Sequence, residues 1–388
     1  MEKKHVFIAI VSALFLVGLL TTLKIIYNPT TNVLGARNWN KRKWTPTMTP
    51  RLTTIPTVIA SITATVTAKI TASPTVKPTV TIRPTSTATP RPTATPTIKP
   101  SNTPTLVPTG GGTSAGMKWG YYTGWTTTQV KDLEARVGKV GNYLATFVHW
   151  GNENALPLDL GNLAKSRGQT LVIFWEAMDY NFNGVNDTRF NYDAILRGDW
   201  NAYLTSFANQ ARNFGGQVIL IPFEEMNGNW YPWGGTVNGN TPAKHIAAYR
   251  YVRGYFNDVA NVKFAWTINS DSDPNVPGNQ FTDYYPGDAY VDIVGTNGFN
   301  FGSPWMSFAQ VFASGLSKLE TMNKPIMIFS TASAEGSEKG NWIRTGLGQE
   351  VYKHPKVQGW IWFNENKEKN WLIWSSTDSL DAFKSVVQ

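Results

Sequence analysis

The sequence predicts an α/β protein in which a closed (β/α)8 TIM barrel follows a transmembrane helix and a disordered Thr/Pro-rich stalk. Three observations lead there. Eight mostly apolar runs recur between residues 119 and 364. Stretches of helical length lie between most of them. Composition also changes near residue 117, from basic and Thr/Pro-rich to mixed and rich in aromatics.

The apolar runs are WGYYTG (119–124), NYLATFVHW (142–150), QTLVIFWEA (169–177), QVILIPF (217–223), VKFAWTIN (262–269), VDIVGTNGF (291–299), KPIMIFST (324–331) and VQGWIWFN (357–364). They are apolar nearly throughout, as strands buried on both faces must be. Helical stretches include 200–214, 242–256 and 305–322. Strands alternating with helices imply a parallel sheet, and eight of them within residues 118–388 suit a closed barrel. An open doubly wound sheet is the rival. No G-x-G-x-x-G follows the first run, so the nucleotide-binding form of that rival has little support.

Ahead of the barrel, Lys3, Lys4 and His5 precede an uncharged apolar segment from Val6 to Leu23. Its eighteen residues are just long enough to span a bilayer as a helix. Residues 1–28 are therefore expected to anchor the chain with its N-terminus inside; a cleaved signal peptide is the alternative. Residues 29–117 form a basic linker, Thr/Pro-rich from about Thr45 to Gly116. Such a segment cannot bury enough apolar surface to offset its ordering entropy. In a polyproline II conformation, at about 3.1 Å per residue, it could reach on the order of 200 Å. A membrane-anchored domain on the extracytoplasmic side is expected, or a secreted one if the segment is cleaved.

Charge follows the same division. Residues 1–117 hold thirteen Lys/Arg and one acid, and residues 118–388 hold twenty-two Lys/Arg and twenty-five acids. The basic balance thus belongs to the stem, and the mildly acidic domain argues against nucleic acid as its ligand. The absence of cysteine excludes disulfides, thiolate metal sites and a cysteine nucleophile. No H-E-x-x-H, P-loop or EF-hand pattern occurs, so neither metal nor cofactor is expected. DYNFNGVND (179–187) reads as an ordinary βα loop and KEKN (367–370) as a solvated turn. A monomer is expected.

In a barrel the active site lies at the C-terminal mouth, where strands give way to loops. Glu224 and Glu225 close the fourth run, and Trp230, Tyr231 and Trp233 follow at once. Strand alternation predicts that only one of the two adjacent acids points into the pocket. Other strand ends carry Trp150, Trp175 with Glu176, Asn269, Asp271, Phe299, Ser330, Trp362, and Asn364 with Glu365. Carboxylates among tryptophans suit a sugar site. Sugar rings rest their C–H faces on aromatic rings, and cleaving a glycosidic bond needs a proton donor and a second carboxylate. Any single tryptophan also fits ordinary barrel core.

EEMNGNWYPWGG (224–235) resembles the H-E-M-N-G-x-W-x-x-W-G signature of glycoside hydrolase family 26, the β-mannanases and related endo-glycanases. FNYDAILRGDW, YYPGDAYVDIVGTNGFNFG, KPIMIFSTASAEGSEKGNWI and WFNENKEKNWLI follow in register, so the resemblance covers about residues 119–388. It implies a (β/α)8 barrel that cuts internal β-linked mannan or glucan bonds with retention. It places Glu225 on the general acid/base and Trp230 and Trp233 on aromatic positions flanking the cleavage site. Glu224, Trp175, Glu176, Phe299 and Trp362 complete the expected substrate contacts. Three positions depart from the pattern: Glu224 replaces a histidine, Ser330 stands on the nucleophile, and Phe299 replaces a tyrosine that bonds that nucleophile.

A serine without an activating base is a poor nucleophile at neutral pH, and no histidine lies in the strand-seven motif. Three readings follow. The domain binds β-linked polysaccharide without cleaving it. Or another carboxylate acts with Glu225, from among Glu176, Asp271, Asp273, Glu335 and Glu365, although Glu335 matches a second glutamate of the family pattern. Or the domain is a structural or adhesive surface protein.

Overall fold

The computed structural model describes residues 117–151 and 155–387. The expected anchor and stalk lie outside the described residues, apart from the stalk's last residue, Met117. Among the described residues no helix is long and apolar enough to cross a membrane.

Eight parallel strands close on themselves in sequence order: β1 (Lys118–Tyr122), β2 (Tyr143–His149), β3 (Thr170–Glu176), β4 (Val218–Pro222), β5 (Val262–Asn269), β6 (Ile293–Asn300), β7 (Ile326–Ser333) and β8 (Val357–Phe363). β1 pairs with β8, from Lys118 against Gly359 to Tyr122 against Phe363, which excludes the open-sheet rival. The helices are α1 (Thr127–Val137), α2 (Leu158–Ser166), the short α3 (Tyr192–Arg197), α4 (Asn201–Phe214), α5 (Pro242–Gly254), α6 (Phe308–Leu319), α7 (Lys339–Gly346) and α8 (Thr377–Val386).

Helix ends follow from local chemistry. Thr126 and Gln129 form a reciprocal capping box at α1, and Ser307 with Gln310 does the same at α6. Gly138 and Gly215 end α1 and α4 in the left-handed conformation. Along α4 the buried residues Leu204, Phe207, Ala208, Ala211 and Phe214 recur at three- and four-residue intervals, so one stripe faces the barrel. Each large apolar side chain buried this way contributes roughly 1.5–3 kcal/mol.

Two apolar layers result from strand alternation. The smaller cluster holds only strand residues: Tyr122, Tyr143, Ala145, Val172, Phe174, Ile219, Ile221, Ala265, Ile293, Met327, Phe329 and Ile361, with Phe147 and Phe363 against them. This is the barrel interior. The larger cluster joins the alternate strand positions, among them Trp175, Trp266, Trp360 and Trp362, to the helices.

Two breaks in register re-aim side chains at the mouth. Thr296 pairs with Ile328 but Asn297 with Ser330, and Ile328 pairs with Trp360 but Thr331 with Trp362. β7 thus carries an extra residue at Phe329–Ser330, a bulge that turns two successive residues inward. At β4 the strand stops at Pro222, and Phe223 and Glu225 take φ values of 56° and 55°. Left-handed backbone is uncommon for such residues and marks a sharply turned segment.

Candidate active site

A cavity open to solvent, with about 420 Å³ of space when its mouth is included, lies at the C-terminal ends of the strands. Its polar wall is Glu224, Glu225, Asn297, Ser330, Lys367 and Glu368. Its aromatic wall is Phe147, Phe174, Tyr231, Phe299, Phe301, Phe363 and Trp371. Glu225 and Ser330 therefore face one space. Both members of the Glu224–Glu225 pair reach it, where alternation predicts one. The prediction assumes a strand, and the chain has already left β4 in a left-handed turn.

Glu225 is buried, 1% exposed, and is fixed from three directions. Its amide donates to the Thr267 carbonyl at 2.9 Å on β5. Asn297 Nδ2 on β6 donates to its Oε1 at 2.8 Å, and Trp230 Nε1 donates to its Oε2 at 2.9 Å. Asn297 is also the strand partner of Ser330. One asparagine thus ties the carboxylate on the fourth strand's loop to the position opposite it on the seventh.

The turn carrying these acids is held by side chains acting as backbone substitutes. Asn227 Nδ2 donates to the Asn269 carbonyl at 2.9 Å, and its Oδ1 accepts from the Asn269 amide at 2.9 Å. Trp233 Nε1 donates to the Glu224 carbonyl at 2.8 Å. Gly228 allows the Trp230 ring to fold back over the turn, since a Cβ there would stand 2.4 Å from the indole.

Other expected contacts lie elsewhere. Trp233 is fully buried beneath Tyr231, with ring centroids 4.2 Å apart and planes 11° apart, so Tyr231 lines the cavity and Trp233 supports it. Trp175 stacks on Phe207 of α4 at 4.6 Å, and Trp362 packs against Phe383 of α8 at 5.7 Å. Both occupy outward positions of their strands, and neither lines the cavity. Glu176 has the inward phase but ends fully buried, its Oε2 2.9 Å from His149 Nε2. Trp230 is part-buried and meets Glu225 without lining the cavity itself. Phe299 does line it, 5.4 Å from the Trp371 ring and 5.8 Å from Phe363.

The alternative carboxylates also separate. Glu335 is exposed and lies 3.6 Å from Lys339 Nζ. The backbone carbonyl of Asp271 accepts from Asn227 and Asn269. Glu365 lies in the β8 loop; burial pushes its carboxyl up, Lys367 pulls it down and Glu368 raises it further. Asp271, Asp273, Glu335 and Glu365 do not line the cavity.

Glu368 does line it. It lies in KEKN, which closes as a small loop through the Asn366–Asn370 bridge, and its Oε1 is 3.1 Å from Lys367 Nζ. The solvated-turn expectation thus misses two cavity residues, because four polar residues look alike whether they face solvent or a cleft. In DYNFNGVND, Asp179 and Asp187 both turn to Arg189, as expected of an ordinary loop.

The family model for Glycosyl hydrolase family 26 matches residues 112–372. The chain belongs to this family. Endoglucanase H of Acetivibrio thermocellus is 32% identical over 290 residues, 71% of this chain and 31% of that protein. A mannan endo-1,4-beta-mannosidase of Bacillus subtilis is 27% identical over 176 residues, 42% of this chain and 44% of that protein. The chain thus spans about a third of the first relative and less than half of the second. The fold matches the catalytic domain of a Bacillus sp. JAMB-750 endo-beta-1,4-mannanase with a TM-score of 0.56 at 18% identity, over 70% of this chain and 86% of that one. It matches a Bacteroides ovatus beta-mannanase with a TM-score of 0.54 at 18% identity, over 70% and 88%. The family 26 domain is a closed barrel whose acid-bearing turn and seventh-strand bulge meet at one cavity.

Proposed function

We propose that the domain binds a β-linked glucan or mannan chain across this cavity, outside the membrane, without forming a covalent glycosyl intermediate. One observation carries the reading. Glu225, held by Asn297 and Trp230, faces the same cavity as Ser330, which stands where the family pattern has its nucleophilic carboxylate. A retaining mechanism needs two carboxyl groups about 5–5.5 Å apart, one as acid and one as nucleophile. Serine supplies no charge for an oxocarbenium-like centre, and no base stands in its motif to activate it. Phe299 fits this reading, because a tyrosine hydroxyl without its carboxylate partner would be left to desolvate at a cost. The aromatic wall remains suited to sugar rings.

Affinity electrophoresis and reducing-end assays on mannan, glucomannan and mixed-linkage glucan test this. Wild type should be retarded by at least one polymer and release no reducing ends. The Ser330→Glu, Phe299→Tyr double variant should release reducing ends at least about a hundredfold above the background seen with wild type, and Glu225→Gln should abolish that gain. A double variant that binds polymer but gains nothing counts against the reading.

A second reading rests on Glu368 lining the same cavity. Glu368 takes a proton from water, the water oxygen bonds to the anomeric carbon, and the glycosidic bond breaks as Glu225 protonates the leaving oxygen. That is an inverting hydrolysis. It requires wild type to release reducing ends, and both Glu225→Gln and Glu368→Gln to stop the release.

A further inference from the structure

Beside the cavity, at the same end of the barrel, two large aromatic side chains stand almost half exposed. Trp125 follows β1 and is 45% exposed; Tyr180 follows β3 and is 47% exposed. Their ring centroids are 5.9 Å apart at 64°, so they form one bent surface. None of the five motifs of the family resemblance includes them.

The surface is continuous with the cavity wall. Phe147 and Phe363 line the cavity. Tyr122 stacks on Phe363 at 5.2 Å and meets Phe147 edge-on at 4.8 Å. Trp125 in turn meets Tyr122 edge-on at 6.0 Å and donates its indole N–H to the Phe147 carbonyl at 3.4 Å. Tyr180 is backed by His149 at 5.5 Å, itself held by buried Glu176. An unbroken path of rings thus runs from the cavity to the outer surface.

The surface is also held in place before anything binds. Gln129 Oε1 accepts from the Trp125 amide and from the Thr126 amide, both at 3.1 Å, as part of the capping box that starts α1. Gly124 turns the chain into this position with φ of +90°, which side chains other than glycine rarely adopt. An aromatic side chain fixed in the open loses little freedom on binding.

We propose that Trp125 and Tyr180 form an outer subsite that holds further sugar units of the chain bound in the cavity. This rests on the glycan reading above. The occupant is a β-linked glycan because the path begins at the wall that reading assigns to sugar. The two rings also offer flat apolar faces, and Tyr180 a hydroxyl edge, matching the C–H faces and equatorial hydroxyls of a β-linked chain.

Calorimetry on the full chain with triose and hexaose forms of β-1,4-glucan and β-1,4-mannan tests it. Wild type should bind hexaose more tightly than triose. Trp125→Ala and Tyr180→Ala should each weaken hexaose by about tenfold, which is roughly 1.4 kcal/mol, and leave triose unchanged. Unchanged hexaose affinity overturns the proposal, as does equal loss for both lengths. If wild type binds neither length of either sugar, the glycan reading itself falls. If wild type binds both lengths equally, only the outer subsite falls. Thermal unfolding of both variants separates loss of a contact from loss of the fold, and a variant that melts well below wild type while losing affinity for both lengths counts against the subsite.

Discussion

Around Glu225, the β4–β6 side of the cavity is tied across three strands, through the Thr267 carbonyl, the Asn297 amide and the Trp230 indole, with Asn227 bridging the β4 and β5 loops. The β7–β8 side presents Ser330 on a bulge, Phe363 edge-on to Phe299 of β6, and a polar loop with Lys367 and Glu368. On one side polar groups are positioned by hydrogen bonds within the fold. On the other, apolar contact replaces the charge a retaining site needs. The contrast separates two tasks that such sites usually combine: orienting a glycan against a carboxylate, and attacking its anomeric carbon. On the proposed reading, the geometry for the first is built in depth, and the group for the second is absent from the position expected for it.

Asn297 tests that contrast most severely, because it belongs to both sides. It is 3% exposed, donates to Glu225 Oε1 at 2.8 Å, and pairs with Ser330. Asn297→Ala removes a donor from a buried carboxylate and opens a small void. Taking one of two donors from a buried carboxyl costs about 3 kcal/mol. For a domain of this size that lowers Tm by about 6–10 °C. Ser330→Ala, one strand away, should cost about 1 kcal/mol or less. Thermal melts of the two variants check the difference. Equal losses would mean that the seventh-strand side is as firmly built as the fourth, and the contrast would fail.

His245 probes how deep the support beneath the acid-bearing turn extends. Its Nδ1 lies 2.7 Å from the Tyr192 hydroxyl, which donates to the Trp233 carbonyl at 2.7 Å, and the Trp233 indole holds the Glu224 carbonyl. Burial pushes this imidazole from the usual 6.5 down to about 3. The folded state therefore keeps it neutral while the unfolded chain protonates first. Stability from this site is fully present above about 6.5 and is lost as pH falls towards 3. At about pH 4.5 the loss amounts to roughly 2–3 kcal/mol. His245→Asn, whose amide can still meet Tyr192, should flatten this part of the pH–stability curve. Urea unfolding across about pH 4 to 7 measures it, and parallel curves for both proteins would contradict the assignment.

Much of this was legible in the sequence, for physical reasons. Strands buried on both faces must be apolar along their length, so the eight runs fall close to β1–β8. Glu225 and Ser330 emerge from a resemblance of motifs; alternation from inward Ile219 and Ile221 also aims Glu225 inward, but alternation from Met327 and Phe329 turns Ser330 outward. The bulge at Phe329–Ser330 brings Ser330 inward, and the left-handed turn at Phe223 and Glu225 lets Glu224 reach the cavity beside Glu225. Trp175 and Trp362 sit at odd phase and face helices, a distinction composition cannot make. Asn297 lies in plain view within GTNGFN, yet its role needs the Glu225 side chain, seventy-two residues earlier, brought beside it. Trp125 and Tyr180 are aromatics in loops, whose exposure a sequence does not reveal.

Glu368 gives the smallest and most discriminating effect on stability. Its side chain is 17% exposed and pairs with Lys367, 29% exposed, at 3.1 Å. Partly exposed ion pairs at a rim are screened and contribute about 0–1 kcal/mol. Glu368→Gln keeps the shape and the capacity to accept a hydrogen bond, so stability should change by about 0.5 kcal/mol or less. Ligand behaviour is where the residue should speak. If the domain only binds, removing this cavity charge shifts polysaccharide affinity within a few fold and produces no kinetic effect, because no turnover exists to lose. If Glu368 activates water, its glutamine variant abolishes reducing-end release while still binding polymer, and the β8 loop then supplies the second carboxylate that the seventh strand lacks. A large drop in Tm would fit neither case. It would instead place Glu368 within the fold's structural support, and the difference between a hydrogen-bonded β4–β6 cradle and a less tied β8 loop would disappear with it.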